Sequence, residues 1–288
     1  MSQSELETLA RWRAIGARHS EEVVELAGRV LKSGQLGDQE WSIREQLAIA
    51  ALDLGKITLA TDQLDILARK FAKSPRITLL LGLRQEAQGD TAGAKATYEA
   101  LLKTDETNVS AYQRLIALSQ TTAPNTTITL LLGYLDTFYT DPAGWSLLAE
   151  LYADQGLYAQ SLAALGHVML INTWDSIAVC RAGETAYTMG DYQLALKHFL
   201  RATEMETPPS GSSVEGTPKS RSWWGVKLSL RRLLESKIAP ETSVPPEMAT
   251  TPDQLRALDE LATERLLAVG GAGMEARRKV LAGGERVR

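Results

Sequence analysis

The chain has 288 residues, of which 44% are hydrophobic and 23% charged, and its formal net charge is −4. This composition is close to the average for soluble globular proteins, so most of the chain is able to form a buried core. The mild negative charge argues against a nucleic-acid-binding protein, for which a basic face and a high pI are expected.

Neither a secretory signal nor a membrane span is expected. The first residues, MSQSELETLARW, contain two glutamates and no long apolar run. The most apolar stretch, ITLLLGYLDTFY, is interrupted by Gly133 and Asp136 and is shorter than the roughly 20 apolar residues that cross a bilayer. The single cysteine, Cys180, excludes an intramolecular disulfide and fits a reducing compartment. We therefore expect a cytosolic protein, or one on the cytosolic side of a membrane.

Residues 1–40 are predicted to form an N-terminal cap. The stretch SELETLARWRAIGARHSEEVVELAGRVLKS reads as two helices. Ser20 is a candidate N-cap of the second helix, because a serine hydroxyl accepts hydrogen bonds from first-turn amides. The stretch lacks the small-residue signature of the segments that follow, as terminal capping units often do.

A repeat with a period of 34 residues occupies 41–206. LAIAALDLGKITLATDQL matches LGLRQEAQGDTAGAKATYEAL at this interval, and AELYADQGLYAQSLAAL matches GETAYTMGDYQLALKHFLRA. The window between the two matched pairs has the apolar pattern of two helices but lacks the signature. The signature residues are Ala48, Gly55, Ala60, Gly82, Gly89, Ala94, Ala149, Gly156, Tyr158, Ser161, Gly183, Gly190, Tyr192 and Ala195.

The signature has a physical meaning. Glycine suits the turn between two helices because it tolerates positive φ, and small residues allow the helices to approach closely. One helix pair cannot cover its own apolar face, so the pairs must stack. This is the pattern of the tetratricopeptide repeat. The sequence predicts an all-α protein, a right-handed superhelical α-solenoid of tetratricopeptide helix pairs with atypical N- and C-terminal capping helices.

The composition changes after the last clear repeat. Residues 207–221 are rich in Pro, Ser and Gly and are predicted to be a flexible insert. Residues 222–269 are predicted to form C-terminal helices, in SWWGVKLSLRRLLES and PDQLRALDELATERLLAV. Residues 270–288 are predicted to be a disordered tail.

No catalytic, cofactor or metal site is predicted. His19, His167 and His198 are scattered and have no second ligand at metal spacing. The sequence contains no Gly-rich phosphate loop, nucleophile elbow or zinc signature. Cys180 is expected to be a buried structural thiol. We therefore expect no enzyme activity.

A partner is expected on the concave face, which first-helix side chains line. Carboxylates predominate among these side chains and cations are sparse, which favours a basic partner such as the Lys/Arg-rich cytosolic loops beside transmembrane helices. The same charges would repel an acidic chaperone tail. Alternatively, they form a solvated face that binds nothing. The candidate partner-binding residues are Glu45, Asp53, Arg76, Glu86, Arg114, Glu150, Asp154, Glu184 and Tyr187.

Residues outside the signature carry a family resemblance. It rests on Trp12-Arg13 before Ser20-Glu21, on LGD before Trp41, on IAALDLG, on YLDTFYTDPAGWSLLAELYADQGLYAQSLAAL and on AYTMGDYQLALKHFLRATEM. Over residues 10–206 the chain resembles subunit 2 of the ER membrane protein complex, and specifically its fungal-type members. The family's middle helix is often basic where this chain keeps only Arg114, and the insert has no counterpart in the family.

The resemblance implies a non-catalytic cytosolic scaffold at the cytoplasmic face of the endoplasmic reticulum membrane, without a membrane span of its own. Its partners would be cytosolic loops and helices of membrane-embedded subunits, in a hetero-oligomer rather than a homo-oligomer. The complex would insert transmembrane segments, including tail anchors. Two alternatives stay open: a free co-chaperone or adaptor that binds client peptides, and a regulatory subunit whose helix PDQLRALDELATERLL docks on a soluble enzyme.

Overall fold

The computed structural model describes residues 3–34, 36–120, 123–207, 220–236, 241–268 and 273–281. Within these residues the chain forms fifteen α-helices, one 3₁₀ helix and no strand. It divides into two compact units, Met1–Leu130 and Leu131–Arg288. The all-α prediction is confirmed.

Unit 1 is a series of helices in which, from α1 to α7, each packs on the next along the chain. Its helices are α1 (Gln3–Ala14), α2 (Ser20–Lys32), α3 (Gln39–Asp53), α4 (Ile57–Lys70), α5 (Pro75–Ala87), α6 (Thr91–Thr104), α7 (Val109–Gln120) and the first part of α8 (Pro124–Thr137). The two helices predicted in the N-terminal cap are α1 and α2. The window without the signature also forms two helices, α7 and α8, as its apolar pattern predicts.

Unit 2 contains the end of α8 and the helices after it. These are α9 (Pro142–Asp154), α10 (Tyr158–Ile171), α11 (Ser176–Met189), α12 (Tyr192–Glu206), α13 (Ser220–Glu235), α14 (Pro252–Ala268) and α15 (Met274–Leu281), with the 3₁₀ helix Pro246–Met248 before α14. From α9 to α15 each helix packs on the next. The segment before α14 is held by Asp191, which accepts hydrogen bonds from the Thr242 hydroxyl and the Ser243 amide.

The turn within each of the four clear repeats contains a glycine in the left-handed region of φ. Gly55, Gly89, Gly156 and Gly190 have φ values of 68°, 81°, 73° and 96°. A side chain is strained at such φ values, which explains why glycine recurs at this place in the repeat. Gly190 ends α11, and the carboxylate of Asp191 caps α12 by accepting from the Leu194 amide.

The small residues of the signature lie where helices approach closely. A Cβ atom at Gly82 would overlap the ring of Tyr98, which is fully buried. A Cβ atom at Gly183 would lie 2.9 Å from Cδ1 of Phe199. Both contacts join the first helix of a pair to the second, so the glycines set the spacing within each pair.

The prediction for Ser20 is wrong. Ser20 is the first residue of α2, its preceding residue makes no side-chain cap, and its hydroxyl donates to Asp53 Oδ2 at 2.8 Å. The hydroxyl therefore joins α2 to the end of α3 instead of capping its own helix.

The helix-pair packing extends beyond the predicted end of the repeat. α13 packs on α12 and α14, and a Cβ atom at Gly225 would overlap the same Phe199 ring that lies against Gly183. The predicted insert is wrong at its end, because Ser220 and Arg221 belong to α13; its residues 208–219 lie outside the described part of the chain. α13 and α14 thus continue the pattern after an interruption.

Two further predictions for the C-terminal region need correction. Residues 274–281 of the predicted disordered tail form α15, which packs on α14; residues 282–288 lie outside the described part. The apolar stripe of α14, on which docking to a catalytic partner would depend, is buried inside unit 2 at Leu255, Ala262 and Leu266. α14 is therefore occupied by contacts with its own chain.

Candidate partner-binding grooves

The structure brings six of the nine candidate partner-binding residues together in two grooves. Glu45, Asp53 and Arg76 line a groove of about 160 Å³ in unit 1, the unit-1 groove. Glu150, Asp154 and Glu184 line a groove of about 230 Å³ in unit 2, the unit-2 groove. The remaining three, Glu86, Arg114 and Tyr187, are engaged in contacts between helices.

The expectation that cations are sparse among these residues is wrong. Five of the six candidate carboxylates form an ion pair with an arginine, which lies on another helix in four pairs and, for Arg18, in the segment between α1 and α2. The pairs are Arg18–Asp53 at 3.2 Å, Arg76–Glu45 at 2.6 Å, Arg114–Glu86, Arg181–Glu150 at 3.8 Å and Arg221–Glu184 at 2.6 Å. The sixth, Asp154, has no ion pair within the described residues. Most of the acidic charge is therefore neutralised by the chain's own arginines.

The unit-1 groove combines aromatic rings with a surplus of arginine. The ring of Trp12 stacks on His19 with centroids 4.5 Å apart, and Arg13 donates to the Gln46 amide oxygen at 3.4 Å. The groove is lined by three arginines (Arg13, Arg18 and Arg76) and two carboxylates (Glu45 and Asp53). Its balance is thus one net positive charge.

Sequence reasoning missed the contribution of α1 and α2 to the unit-1 groove. Trp12, Arg13 and Ser20 all line it, although they were assigned to the N-terminal cap. These residues also carry part of the family resemblance, and that was the available signal. The family motif around Trp12, Arg13 and Ser20 lies outside the repeat and marks the surface of the unit-1 groove, not the packing of the repeat.

Glu86 and Arg114 form the most enclosed of these five ion pairs. Glu86 on α5 accepts from two guanidinium nitrogens of Arg114 on α7, and the Tyr98 hydroxyl of α6 donates to the same carboxylate at 2.5 Å. Burial, together with the bond to Glu86, raises the pKa of the Tyr98 phenol, and the bond to Glu86 raises the pKa of the Arg114 guanidinium. The three groups join α5, α6 and α7, so Arg114 stabilises unit 1 from within.

The unit-2 groove keeps an excess of carboxylate. The side chain of Glu150 is 62% exposed and only loosely paired with Arg181, whose guanidinium donates to the Ser146 hydroxyl at 2.7 Å. Glu184 accepts two hydrogen bonds from Arg221, at 2.6 and 2.7 Å. Of the two arginines, Arg181 lines the groove and Arg221 pairs with Glu184 from outside the lining. Even with both counted, three carboxylates leave one net negative charge, carried at the exposed residues Glu150 and Asp154.

Tyr187 lies one turn after Glu184 on α11 and contacts two neighbours. Its hydroxyl accepts from Arg232 of α13 at 3.2 Å, and its ring meets Tyr192 edge-on with centroids 5.2 Å apart. The structure thus places it in the packing of α11, α12 and α13.

Residues of the central family segment fix the turn between α8 and α9. The buried Tyr134 donates its hydroxyl to Asp141 at 2.7 Å, and Asp141 caps α9 by accepting from the Ala143 amide. The Trp145 indole donates to the Tyr139 carbonyl at 2.8 Å, and its ring stacks on His167 at 3.9 Å. This part of the resemblance therefore reflects architecture.

Burial accounts for the surroundings of two other titratable side chains singled out in the sequence, Cys180 and His198. Cys180 is buried, burial raises its thiol pKa, and the Ser222 hydroxyl lies 3.8 Å from its sulfur. Burial also lowers the pKa of His198. Among the described residues, no group of three or more His, Cys, Asp or Glu side chains is placed to hold a metal ion, and no described helix has the length and apolar content of a membrane span.

Comparison with known proteins agrees with the fold. The family model of the tetratricopeptide repeat matches residues 45–121. Among solved structures, the C-terminal part of a tetratricopeptide repeat-containing protein from Cytophaga hutchinsonii is similar with a TM-score of 0.62 and 13% identity, covering 94% of this chain and 98% of that one. At that identity the likeness shows the fold alone, a tetratricopeptide solenoid.

Comparison of sequences is more specific. The chain is 34% identical over 200 residues to ER membrane protein complex subunit 2-A of Xenopus laevis, covering 67% of each chain, and equally similar to subunit 2 of Xenopus tropicalis. It is 27% identical over 210 residues to the TPR repeat protein oca3 of Schizosaccharomyces pombe, covering 71% of each chain. The chain belongs to the family of ER membrane protein complex subunit 2.

Proposed function

We propose that this protein is a non-catalytic scaffold subunit of the ER membrane protein complex. In this role it lies on the cytoplasmic face of the endoplasmic reticulum membrane and binds cytosolic segments of membrane-embedded subunits. It supports the insertion of transmembrane segments, including tail anchors, without itself crossing the membrane. The names of its relatives support membership of the complex, and the helix-pair architecture supports a scaffold.

The observation that carries the binding proposal is the charge of the unit-2 groove. Glu150 and Asp154 lie one helical turn apart on α9 and are exposed, and Asp154 has no ion pair within the described residues. A partner segment with lysine or arginine would complete the charge balance there. Cytosolic segments next to transmembrane helices are enriched in these residues, so the groove suits a membrane-embedded subunit.

The test is copurification from solubilised membranes of the source cells. The tagged double variant Glu150→Lys/Asp154→Lys reverses both exposed charges. We expect it to recover the membrane-embedded subunits with a yield at least about fivefold lower than the wild type, because unlike charges have become like charges across the interface. Circular dichroism and melting temperature should stay unchanged, since both side chains are exposed.

A matched control is Glu235→Lys/Asp253→Lys, which makes the same change in net charge at exposed residues of unit 2 outside the groove. Recovery of the subunits should be normal with this variant. Equal recovery with all three proteins would show that the unit-2 groove is idle. A small soluble assembly of the wild type with chaperones would instead favour the co-chaperone alternative.

A further inference from the structure

A second kind of groove lies in unit 1, away from the carboxylates described above. It measures about 700 Å³ and is bounded by α6, α7 and the first part of α8. None of the candidate partner-binding residues lines it. An occupant of this groove therefore makes contacts separate from those proposed for the unit-2 groove.

The floor of this α6–α8 groove is apolar. It is formed by Leu102 of α6, Leu115 and Leu118 of α7, and Leu130 of α8. Leu102, Leu118 and Leu130 are half-buried against the core around Tyr98. Apolar side chains that stay partly open along a groove favour burial by a partner, because each contact removes apolar surface from water.

The two sides of the groove differ in charge. On the α6 side, four exposed charged residues alternate in sign along the chain: Lys95, Glu99 and Lys103 on α6, and Glu106 in the turn after it. The ion pair between Lys95 Nζ and Glu99 Oε1 is long, at 3.8 Å, and both side chains are about half exposed. The pair therefore contributes little to stability, and either side chain is free to pair with a charge of the partner instead. The α8 side contributes Ala123, Thr126 and Leu130, which carry no charge.

We propose that the α6–α8 groove binds one amphipathic helix of a partner polypeptide. The lining residues of α6 and the turn after it extend from Thr91 to Glu106, which corresponds to about 20 Å of helix, or roughly four turns. The partner helix places its apolar stripe, repeating at three and four residues, on the leucines. It carries charges of alternating sign on the flank facing α6 and is uncharged on the flank facing α8.

The first experiment maps what contacts the groove in the native assembly. A photoreactive amino acid replaces Ala92, an exposed lining residue, in the full chain expressed in its source cells. The control places it at Ala96, which is exposed on the same helix but does not line the groove. We expect Ala92, and not Ala96, to crosslink to one polypeptide, at a peptide with the predicted helical pattern of apolar and charged residues.

The second experiment tests the charge pattern. Lys95→Glu/Lys103→Glu should lower the crosslinking yield from Ala92 by about tenfold, and replacing the facing acidic residues of the mapped helix by lysine should restore it. The control Lys56→Glu/Lys73→Glu, at two exposed lysines outside the groove, should leave the yield unchanged.

The proposal is wrong if Ala92 gives no crosslink, crosslinks as efficiently as Ala96, or crosslinks to a second copy of this chain. It is equally wrong if the mapped peptide lacks the amphipathic pattern or if the charge reversal has no effect. Copurification of the membrane-embedded subunits is measured in the same samples. Normal copurification without a crosslink would therefore contradict the helix proposal while leaving the scaffold function intact.

Discussion

The unit-1 and unit-2 grooves both take their carboxylates from first helices of repeats but have opposite charge balance. In unit 1, three arginines face two carboxylates around the stacked rings of Trp12 and His19. In unit 2, Glu150, Asp154 and Glu184 line the groove with Arg181, and Arg221 pairs with Glu184 from outside the lining. The difference comes from neighbouring helices, because the carboxylates in both grooves lie on first helices of repeats and the arginines reach them from elsewhere. The repeat determines the positions of the carboxylates, and arginines from neighbouring elements determine which carboxylates remain available to a partner.

The largest expected effect comes from breaking the packing under the unit-2 groove. Gly225→Val places a branched side chain against Phe199, which already lies against Gly183. Overpacking of this kind costs about 3 kcal/mol. We expect hydrogen exchange to show the loss of stability across α11, α12 and α13, with unit 1 unaffected.

The control for this variant is Gly166→Val on α10, where an added Cβ atom meets nothing within 4 Å. It should change the free energy of unfolding by less than about 0.5 kcal/mol. A similar destabilisation by both variants would show that Phe199 does not determine the packing of α13.

The second prediction concerns the enclosed ion pair of unit 1. Glu86→Gln leaves Arg114 without its carboxylate and gives the Tyr98 hydroxyl a neutral acceptor. Since hydrogen bonds to charged groups contribute more than neutral ones, we expect a loss of about 2 kcal/mol in urea unfolding. In Glu45→Gln the carboxylate is also largely buried, at 18% exposed, but its partner Arg76 is 72% exposed and donates through Nε alone. This variant should therefore lose no more than about 0.5 kcal/mol. Equal losses would contradict the distinction between structural and available carboxylates.

A third prediction separates the units by pH. Burial holds the pKa of His198 in unit 2 below its ordinary value of 6.5. The unfolded chain therefore binds a proton at a higher pH than the folded chain does, and stability falls as pH drops from about 6.5 through the lower folded pKa. The slope is at most about 1.4 kcal/mol per pH unit. His198→Gln should remove this component, as measured by hydrogen exchange in α12, and an unchanged slope would show that His198 is not its source.

The smallest effect on stability is expected at Arg76. Arg76→Ala removes an exposed ion pair and should cost less than about 0.5 kcal/mol. It frees Glu45 and changes the balance of the unit-1 groove from one positive charge to neutral. In the Glu150→Lys/Asp154→Lys background, in which binding to the unit-2 groove is weakened, we expect Arg76→Ala to make a labelled arginine–serine repeat peptide bind about threefold more tightly, by fluorescence anisotropy. Unchanged affinity would mean that the pairing of Glu45 with Arg76 does not limit binding of the peptide to the unit-1 groove.

Sequence reasoning was most successful where steric requirements repeat. Gly55 and Gly190 stand at turns that need positive φ, and Gly82 and Gly183 stand where a ring leaves no room for a Cβ atom. These requirements recur with the helix pair, so the period of 34 residues reveals them. The pattern also identified the carboxylates of both grooves.

Arg76 and Arg114 were among the predicted residues, but their ion pairs and the other three arginines, Arg18, Arg181 and Arg221, were missed because the pairing does not follow that period. Arg76 comes 31 residues after Glu45 and Arg181 stands at the same interval after Glu150, whereas Arg221 reaches Glu184 across the insert at an interval of 37 residues. α13 was missed as a continuation for the same reason, since Gly225 is displaced from the period. The long arginine side chain reaches a carboxylate from several positions on neighbouring elements, so its pairing does not depend on a fixed place in the repeat. An alignment of the repeats therefore cannot predict these pairs.

The most direct test of the central claim compares charge reversal in the two grooves. The arginine–serine peptide is titrated into the wild-type chain and the variants Glu150→Lys/Asp154→Lys and Glu45→Lys/Asp53→Lys, at low salt and at high salt. We predict salt-sensitive binding that the unit-2 variant weakens about tenfold, or about 1.4 kcal/mol, and that the unit-1 variant weakens less than twofold. Equal weakening by both variants, or by neither, would contradict the assignment of the basic partner to the unit-2 groove.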